Sequence, residues 1–269
     1  MMDDTKIFSG KTAWITGASS GIGEALVHAF LKKGASLIIS SNDVNGLERV
    51  RADCRDKSDD ILIVPFDLSD TSGIGTLVDD TLKKRKSIDY LMNIGGVSQR
   101  ASIADTPLWL DRKIFEINYF GTIALTKAVL PYMIRQRSGH IAATSSISGR
   151  FGFPLRSAYS ASKQALHGFF ETLYLENKKN NIRTSVIIPG RVRTNISLHA
   201  LDPEGKEHGK MDKGQAKGIS PEKAAGIIIK GIIRNKREIT VGGNELLMLY
   251  IRRFLPWFFF RIGDKISST

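Results

Sequence analysis

Tyr159 and Lys163, in the run Tyr159-Ser160-Ala161-Ser162-Lys163, are the residues whose types and spacing most directly suggest chemistry. Four positions apart, they share one face if the segment is helical. A phenol with a pKa near ~10 is a poor proton exchanger at neutral pH, and a nearby ammonium favours its ionised form. Such a pair can trade a proton with a substrate oxygen. The same spacing also describes an ordinary amphipathic surface pair, so it carries weight only in company.

A second group is the turn Thr16-Gly17-Ala18-Ser19-Ser20-Gly21-Ile22-Gly23. Glycines after a strand let backbone approach a pyrophosphate closely, and the following helix start offers N–H groups and a positive dipole end. The spacing is G-x3-G-x-G rather than G-x-G-x-x-G, and a turn that merely needs flexible residues would look similar. Gly17-Ala18-Ser19-Ser20-Gly21 also matches the G-x-S-x-G nucleophile elbow, a reading that leaves Gly23 unexplained. Gly10-Lys11-Thr12 resembles the end of a P-loop, but Thr5 stands where the first glycine is required and the segment precedes its strand.

These groups need elements to hold them. Short apolar runs at 11–16, 36–41, 61–66, 88–93, 140–145, 184–188 and 238–241 read as strands, and helical patterns such as 21–34 fall between them. The runs are continuous rather than alternating, as in a parallel sheet covered on both faces. The expected fold is α/β, a doubly wound Rossmann fold with a central parallel seven-stranded sheet. No linker-like boundary is visible, so one domain over 1–269 is expected. Its cofactor half runs to about 145, its catalytic and substrate half spans about 146–243, and an apolar-basic segment occupies 244–269. The Lys- and Gly-rich stretch 197–218 reads as a mobile lid or an unstructured loop.

Composition limits the partners. The chain has 269 residues, 42% of them hydrophobic, and a formal net charge of +12. Such a charge suits nucleic acid, anionic lipid or an anionic small ligand. No nucleic-acid recognition motif accompanies it, and the lysines are scattered rather than gathered into a stripe, so no nucleic-acid partner is expected. Cys54 is the single cysteine, which excludes an intrachain disulfide and fits a reducing compartment. No metal site is expected. The acidic first residues are unlike a signal peptide, and no apolar run reaches the ~20 residues that cross a bilayer. A cytoplasmic protein is expected, with peripheral membrane contact left open.

With Ser146 thirteen residues before Tyr159, the glycine turn and the Tyr-x-x-x-Lys run together resemble the short-chain dehydrogenase/reductase family over about residues 11–241. The resemblance implies that Ser146, Tyr159 and Lys163 are catalytic, together with Asn118 in Glu116-Ile117-Asn118-Tyr119. Tyr159 would exchange a proton with the substrate oxygen as hydride moves to or from a nicotinamide. Ser146 would hold that oxygen. Lys163 would hydrogen-bond the nicotinamide ribose, and Asn118 would organise a water relay to Lys163. The implied cofactor residues are Gly17, Ser19, Ser20, Gly21, Ile22, Gly23, Ser41, Asn42, Asp67, Leu68, Asn93, Gly95, Pro189, Gly190, Val192 and Thr194, besides Tyr159 and Lys163. The chain departs from the family where Asn-Asn-Ala-Gly becomes Asn93-Ile94-Gly95-Gly96, putting a structural hydrogen bond between the central strands in doubt.

An acidic residue ending the second strand selects NAD, and an arginine there accommodates the 2′-phosphate. Ser40-Ser41-Asn42-Asp43 has neither at the diagnostic positions, and its small hydroxyls leave room, so NADP(H) is favoured over NAD(H). The expected activity is interconversion of a secondary alcohol and a ketone, as a carbonyl reductase on a lipid- or steroid-like substrate. The alternative is a non-catalytic dinucleotide sensor on the same fold. The aromatic and arginine-rich run 246–261 leaves three readings: packing on the domain or a second copy, a cover over an apolar pocket, or an interfacial membrane anchor. The family implies a homodimer or homotetramer.

Overall fold

A strand that is apolar along its length needs cover on both faces, and this chain supplies it by following strands with helices. The computed structural model describes residues 6–262. The acidic N-terminal residues 1–5 and the end of the C-terminal segment, 263–269, lie outside the described residues.

The order is β1 (Thr12–Thr16), α1 (Gly21–Lys32), β2 (Ser36–Ser40), α2 (Val44–Asp53), β3 (Ile61–Ile63), α3 (Ile74–Lys84) and β4 (Tyr90–Asn93). Then come α4 (Leu108–Phe115), α5 (Gly121–Gln136), β5 (Gly139–Thr144), α6 (Ser157–Asn177) and β6 (Ile182–Pro189). The chain continues through α7 (Lys213–Ala216), α8 (Pro221–Ile233), β7 (Glu238–Val241), α9 (Leu247–Phe254) and α10 (Pro256–Ile262). All seven strands are parallel, in the order β3-β2-β1-β4-β5-β6-β7. The doubly wound α/β expectation therefore holds. Strand order reverses between β1 and β4, the place where such sheets open a ligand crevice at their carboxyl ends.

Every residue of β1 is buried. Ala13 and Ile15 join one apolar layer with Leu26 and Phe30 of α1 and Ile228 and Ile232 of α8. Trp14, on the opposite side of the pleat, joins the other layer with Val78 of α3, Val129 of α5 and Phe170 of α6. Burying a side chain of this size contributes about 1.5–3 kcal/mol, so the central strand is anchored from both sides.

Two details differ from the sequence expectations, and one adds to them. The strand expected at 61–66 ends at Ile63, and after Val64 donates to the Ile39 carbonyl at 3.0 Å, Pro65 has no N–H to continue the ladder. Glu116–Phe120 forms a π-helical turn between α4 and α5, and such turns are frequent at functional sites. The stretch 197–218 is tied down rather than loose. Leu201 donates to the Ser98 carbonyl at 2.9 Å, Arg100 donates back to Leu201 at 2.8 Å, and His208 donates to Ala200 at 2.8 Å. Ser197 and Ala200 are fully buried. The lysines of the stretch suggested a solvated loop, but its few small and apolar residues fix its path.

Candidate active site

The turn from β1 into α1 has the backbone its glycines allow. Gly17 (φ 62°) and Gly21 (φ 58°) lie in the left-handed region. A Cβ on Gly23 would lie 2.0 Å from the Gly17 carbonyl oxygen, so a glycine there is required for the helix to pack onto the turn. Ser20, preceding α1, makes no side-chain cap, which leaves first-turn N–H groups to an incoming anion. These features fit a dinucleotide pyrophosphate.

A cavity of about 750 Å³ runs from this turn along the carboxyl ends of the strands. Gly17, Ser19, Ser20, Gly21, Ile22, Gly23, Ser41, Asn42, Asp67, Leu68, Gly95, Pro189, Gly190, Val192 and Thr194 line it, as do Ser146 and Tyr159. Asn93, Asn118 and Lys163 are buried beside these lining residues. The Asn93 amide donates to Thr126 Oγ1 at 3.2 Å and to the Ala142 carbonyl at 3.3 Å, cross-linking β4, α5 and β5. The Thr16 hydroxyl accepts the N–H groups of Ile94 and Gly95 at 3.1 and 3.2 Å. Thus this loop is held by Asn93 and Thr16, with Ile94 packed against the α1 layer.

Tyr159 and Lys163 lie in the first two turns of α6, and both are buried. The side chain of Gln99 fixes the start of that helix: its Oε1 accepts the Ala158 N–H at 2.9 Å and the Tyr159 N–H at 3.4 Å. Ser146 follows β5, its hydroxyl accepts the Ser148 N–H at 3.1 Å, and its influence on the Tyr159 phenol is to lower its pKa. The Lys163 ammonium donates to the Thr144 carbonyl at 2.8 Å and sits 5.9 Å from the Tyr159 ring centroid. Asn118 accepts the Val97 N–H at 2.8 Å, and donates to the Val97 carbonyl at 2.9 Å and the Ser162 hydroxyl at 3.1 Å. A Cβ on Gly96 would lie 2.7 Å from Asn118 Oδ1 and 3.0 Å from Lys163 Nζ, so these three pack directly together.

Burial dominates the electrostatics. It pushes the Tyr159 phenol above its usual range, opposed by the nearby Ser146 side chain and by the charges of Arg156 and Arg100. It pushes the Lys163 ammonium down to about 8. The sequence expectation made Lys163 the charge that favours the phenolate; here two arginines face the phenol as well. Both line the cavity, as do Lys113 and Ser98. These residues, Gln99 and Asp212 were not legible as site residues. Sequence separations of 59 between Gln99 and Ala158, and 112 between Arg100 and Asp212, leave no local signal.

At the other end, Ser19 and Ser41 hydroxyls lie 3.0 Å apart. Asp43 caps α2, accepting the Gly46 N–H at 2.9 Å. Asp67 accepts from the backbone and hydroxyl of Ser69, each at 2.8 Å. Those bonds, with one from Asn42, hold its carboxyl below the usual range against the opposing cost of burial. Among the described residues, no group of three or more His, Cys, Asp or Glu could hold a metal ion, and no helix is long and apolar enough to cross a membrane.

Comparison with known proteins agrees with this geometry. The family described as short chain dehydrogenase matches residues 11–204. A Drosophila melanogaster protein named dehydrogenase/reductase SDR family protein 7-like is 40% identical over 95% of this chain and 80% of its own length. A Mus musculus protein named dehydrogenase/reductase SDR family member 7B is 38% identical over 92% of this chain and 78% of its own. Among solved structures, a short-chain dehydrogenase from Streptomyces avermitilis superposes with a TM-score of 0.80 at 26% identity, covering 96% of this chain and 99% of that one. A short chain dehydrogenase/reductase from Burkholderia phymatum, solved with NAD, shares the fold with a TM-score of 0.81 at 22% identity over 94% and 95% of the two chains. The sequence match over most of the length, on a fold of this topology, places the chain in the short-chain dehydrogenase/reductase family of oxidoreductases.

Proposed function

We propose that this protein interconverts a secondary alcohol and a ketone with NADP(H), working as a carbonyl reductase on a largely apolar substrate. The observation that carries this reading is that Tyr159 and Ser146 share the cavity wall with Lys163 buried one helical turn on from Tyr159. A nicotinamide cofactor supplies or accepts the hydride when bound. Tyr159 gives or takes the proton at the substrate oxygen, and Ser146 holds that oxygen against developing charge. Lys163 would hold the nicotinamide ribose, and Asn118, bonded to Val97 and Ser162, would order the groups around it. Gly17, Gly21, Gly23 and the start of α1 would hold the pyrophosphate.

NADP(H) is favoured by the paired hydroxyls of Ser19 and Ser41 and by the engagement of Asp43 as a helix cap. Val97, Ile117, Ile196 and Leu201 supply apolar wall, in keeping with an apolar substrate. None of the described residues of the C-terminal segment lines the cavity, which argues against the cover reading. Phe259 packs on Phe151, with ring centroids 5.0 Å apart, but Trp257 and Phe260 are 66% and 65% exposed. This aromatic face beside Arg252, Arg253 and Arg261 suits the headgroup region of an anionic membrane or the face of a second copy. Co-sedimentation with anionic vesicles, compared with light scattering of the protein alone, separates those two uses.

Titrating the protein with NADPH and NADH, followed by nicotinamide fluorescence, tests the cofactor. Tight NADPH and weak NADH binding are expected, with Tyr159→Phe binding NADPH normally while losing ketone reduction. Turnover that survives in Tyr159→Phe would overturn the mechanism. Cofactor binding without turnover of any ketone by the unaltered protein would instead support the sensor reading.

A further inference from the structure

Glu245 stands at the junction between β7 and the C-terminal helices. Its Oε1 accepts the Arg191 N–H at 2.7 Å and the Gly243 N–H at 3.0 Å. A Cβ on Gly190 would collide with the same oxygen, so the carboxylate lies directly against the backbone of a cavity-lining residue. Burial opposes its charge, yet the N–H groups of Arg191, Gly243 and Glu245 itself, with the Arg191 charge, hold the carboxyl below its usual range. The base of this side chain is firmly mounted. Leu246, Met248, Leu249 and Ile251 pack on the apolar layer that contains Trp14 and Phe170.

The segment that Glu245 holds is the cavity wall after β6, where Pro189, Gly190, Val192 and Thr194 line the cavity. β6 pairs with β7 as far as Pro189 opposite Val241, the Gly190 N–H donates to the Val241 carbonyl at 2.7 Å, and β7 ends there. The stretch before α8 takes over further along. The Ile219 N–H donates to the Arg191 carbonyl at 3.0 Å, and the Arg193 N–H donates to the Ile219 carbonyl at 2.9 Å. Between these two supports, the Arg191 N–H has the Glu245 carboxylate as its acceptor. Sheet order then places this wall. Ser41 and Asn42 follow β2, the glycine turn follows β1, and Ser146 follows β5. β6 lies next to β5 on the side away from β1, so residues 189–194 border the Ser146 and Tyr159 end of the cavity, far from Ser41 and Asn42.

We propose that Glu245 is a positioning residue for the reactive end of the dinucleotide: by accepting the Arg191 N–H it sets the wall 189–194 against which the nicotinamide half lies. Glu245 itself lines no part of the cavity, so it acts through Arg191 and Gly190. A charged acceptor suits the task, because a carboxylate holds a backbone N–H more strongly than a neutral oxygen does. This reading rests on the oxidoreductase assignment. It also gives the C-terminal helices a part in the chemistry, as the mount that keeps the carboxylate in place.

The competing role is purely structural, a brace that fixes the C-terminal helices through the Gly243 N–H and leaves the cofactor indifferent. Calorimetric titration separates the roles. The ligands are whichever of NADPH and NADH binds the unaltered protein more tightly, and the matching adenine-end fragment, adenosine 2′,5′-bisphosphate or AMP. Glu245→Ala should weaken dinucleotide binding at least about tenfold while fragment binding stays within about twofold, because the lost hydrogen bond lies at the far end of the cavity. Glu245→Gln keeps an acceptor oxygen and should bind the dinucleotide within about threefold of the unaltered protein. If Glu245→Ala does not fold, Gly242→Ala replaces it. Gly242 does not line the cavity, and a Cβ there would lie 2.5 Å from Glu245 Oε1, displacing the carboxylate with the same selective loss expected.

A brace predicts a lower urea midpoint in Glu245→Ala with dinucleotide and fragment affinities unchanged or weakened equally, and either result would overturn the proposal. So would a Glu245→Gln variant as weak as Glu245→Ala, since acceptance of the Arg191 N–H would then not be what counts. Reduction of 2-octanone by the unaltered protein reads the oxidoreductase assignment separately. Ketone turnover with dinucleotide affinity independent of Glu245 sinks the Glu245 proposal alone. Selective loss of dinucleotide binding in Glu245→Ala, without any ketone turnover by the unaltered protein, keeps Glu245 as a positioning residue for the dinucleotide and sinks the oxidoreductase assignment.

Discussion

The Lys163 ammonium donates to the Thr144 carbonyl at 2.8 Å, joining the second turn of α6 to the end of β5. With no carboxylate among the influences acting on it, burial holds the ammonium down to about 8. If the charged form serves ketone reduction, kcat/KM should fall above pH 8 rather than above pH 10. A pH–rate profile of ketone reduction checks this, and a flat profile to pH 9.5 would argue that Lys163 need not be charged.

Gln99 should act as a positioning residue. Gln99→Met removes the acceptor of the Ala158 and Tyr159 N–H groups and leaves buried donors unpaired, at a cost of about 1–3 kcal/mol. Because Tyr159 sits on that turn, kcat for ketone reduction should fall by about tenfold with NADPH affinity little changed. Urea unfolding and steady-state kinetics on the same preparation check both halves. A loss of stability alone would reduce Gln99 to a structural cap.

Asn93 and Gly23 should separate cleanly. Gly23→Ala places a methyl against the Gly17 carbonyl, so dinucleotide affinity should drop by at least about tenfold. Asn93→Leu breaks bonds to Thr126 and Ala142 but touches no cavity surface, and should cost about 1–3 kcal/mol of stability with cofactor affinity nearly unchanged. Equal loss of cofactor affinity in both variants would return Asn93 to the cofactor site.

His140 should limit acid stability. Burial, aided by Arg183, holds its pKa down to about 4, and its Nε2 is 2.8 Å from the Ser185 hydroxyl. The unfolded chain protonates this histidine near pH ~6.5, so it binds more protons than the native state between pH ~6.5 and pH ~4. Stability contributed by the neutral ring is present above pH ~6.5 and lost as pH falls towards 4, by up to about 3 kcal/mol. Urea midpoints at pH 7, 6 and 5 check the slope, which His140→Gln should flatten. His167, held down to about 4 mainly by burial, adds in the same direction.

The local part of this protein was legible from its residues alone. Apolar runs bounded by polar residues defined the seven strands, the glycine spacing marked the turn into α1, and the four-residue gap between Tyr159 and Lys163 placed both on one helix. Each is a short-range pattern, because strand and helix periods act over a few residues. The same locality explains the misses. The bonds that fix Asn93 were not legible either, because its Nδ2 donates to Thr126 and to the Ala142 carbonyl, partners 33 and 49 residues away. The stretch 197–218 looked loose because its lysines and glycines are conspicuous, whereas its buried Ala200 and its bonds to Ser98 are not.

What only the tertiary structure decided is charge placement. By itself the sequence established a net charge of +12 and an α/β fold, and it pointed to candidate residues for a dehydrogenase site. It carried no sign that Arg100, Arg156 and Asp212 converge beside Tyr159, because Coulomb interactions and desolvation depend on distance in space and on exclusion of water, neither of which is encoded by spacing along the chain.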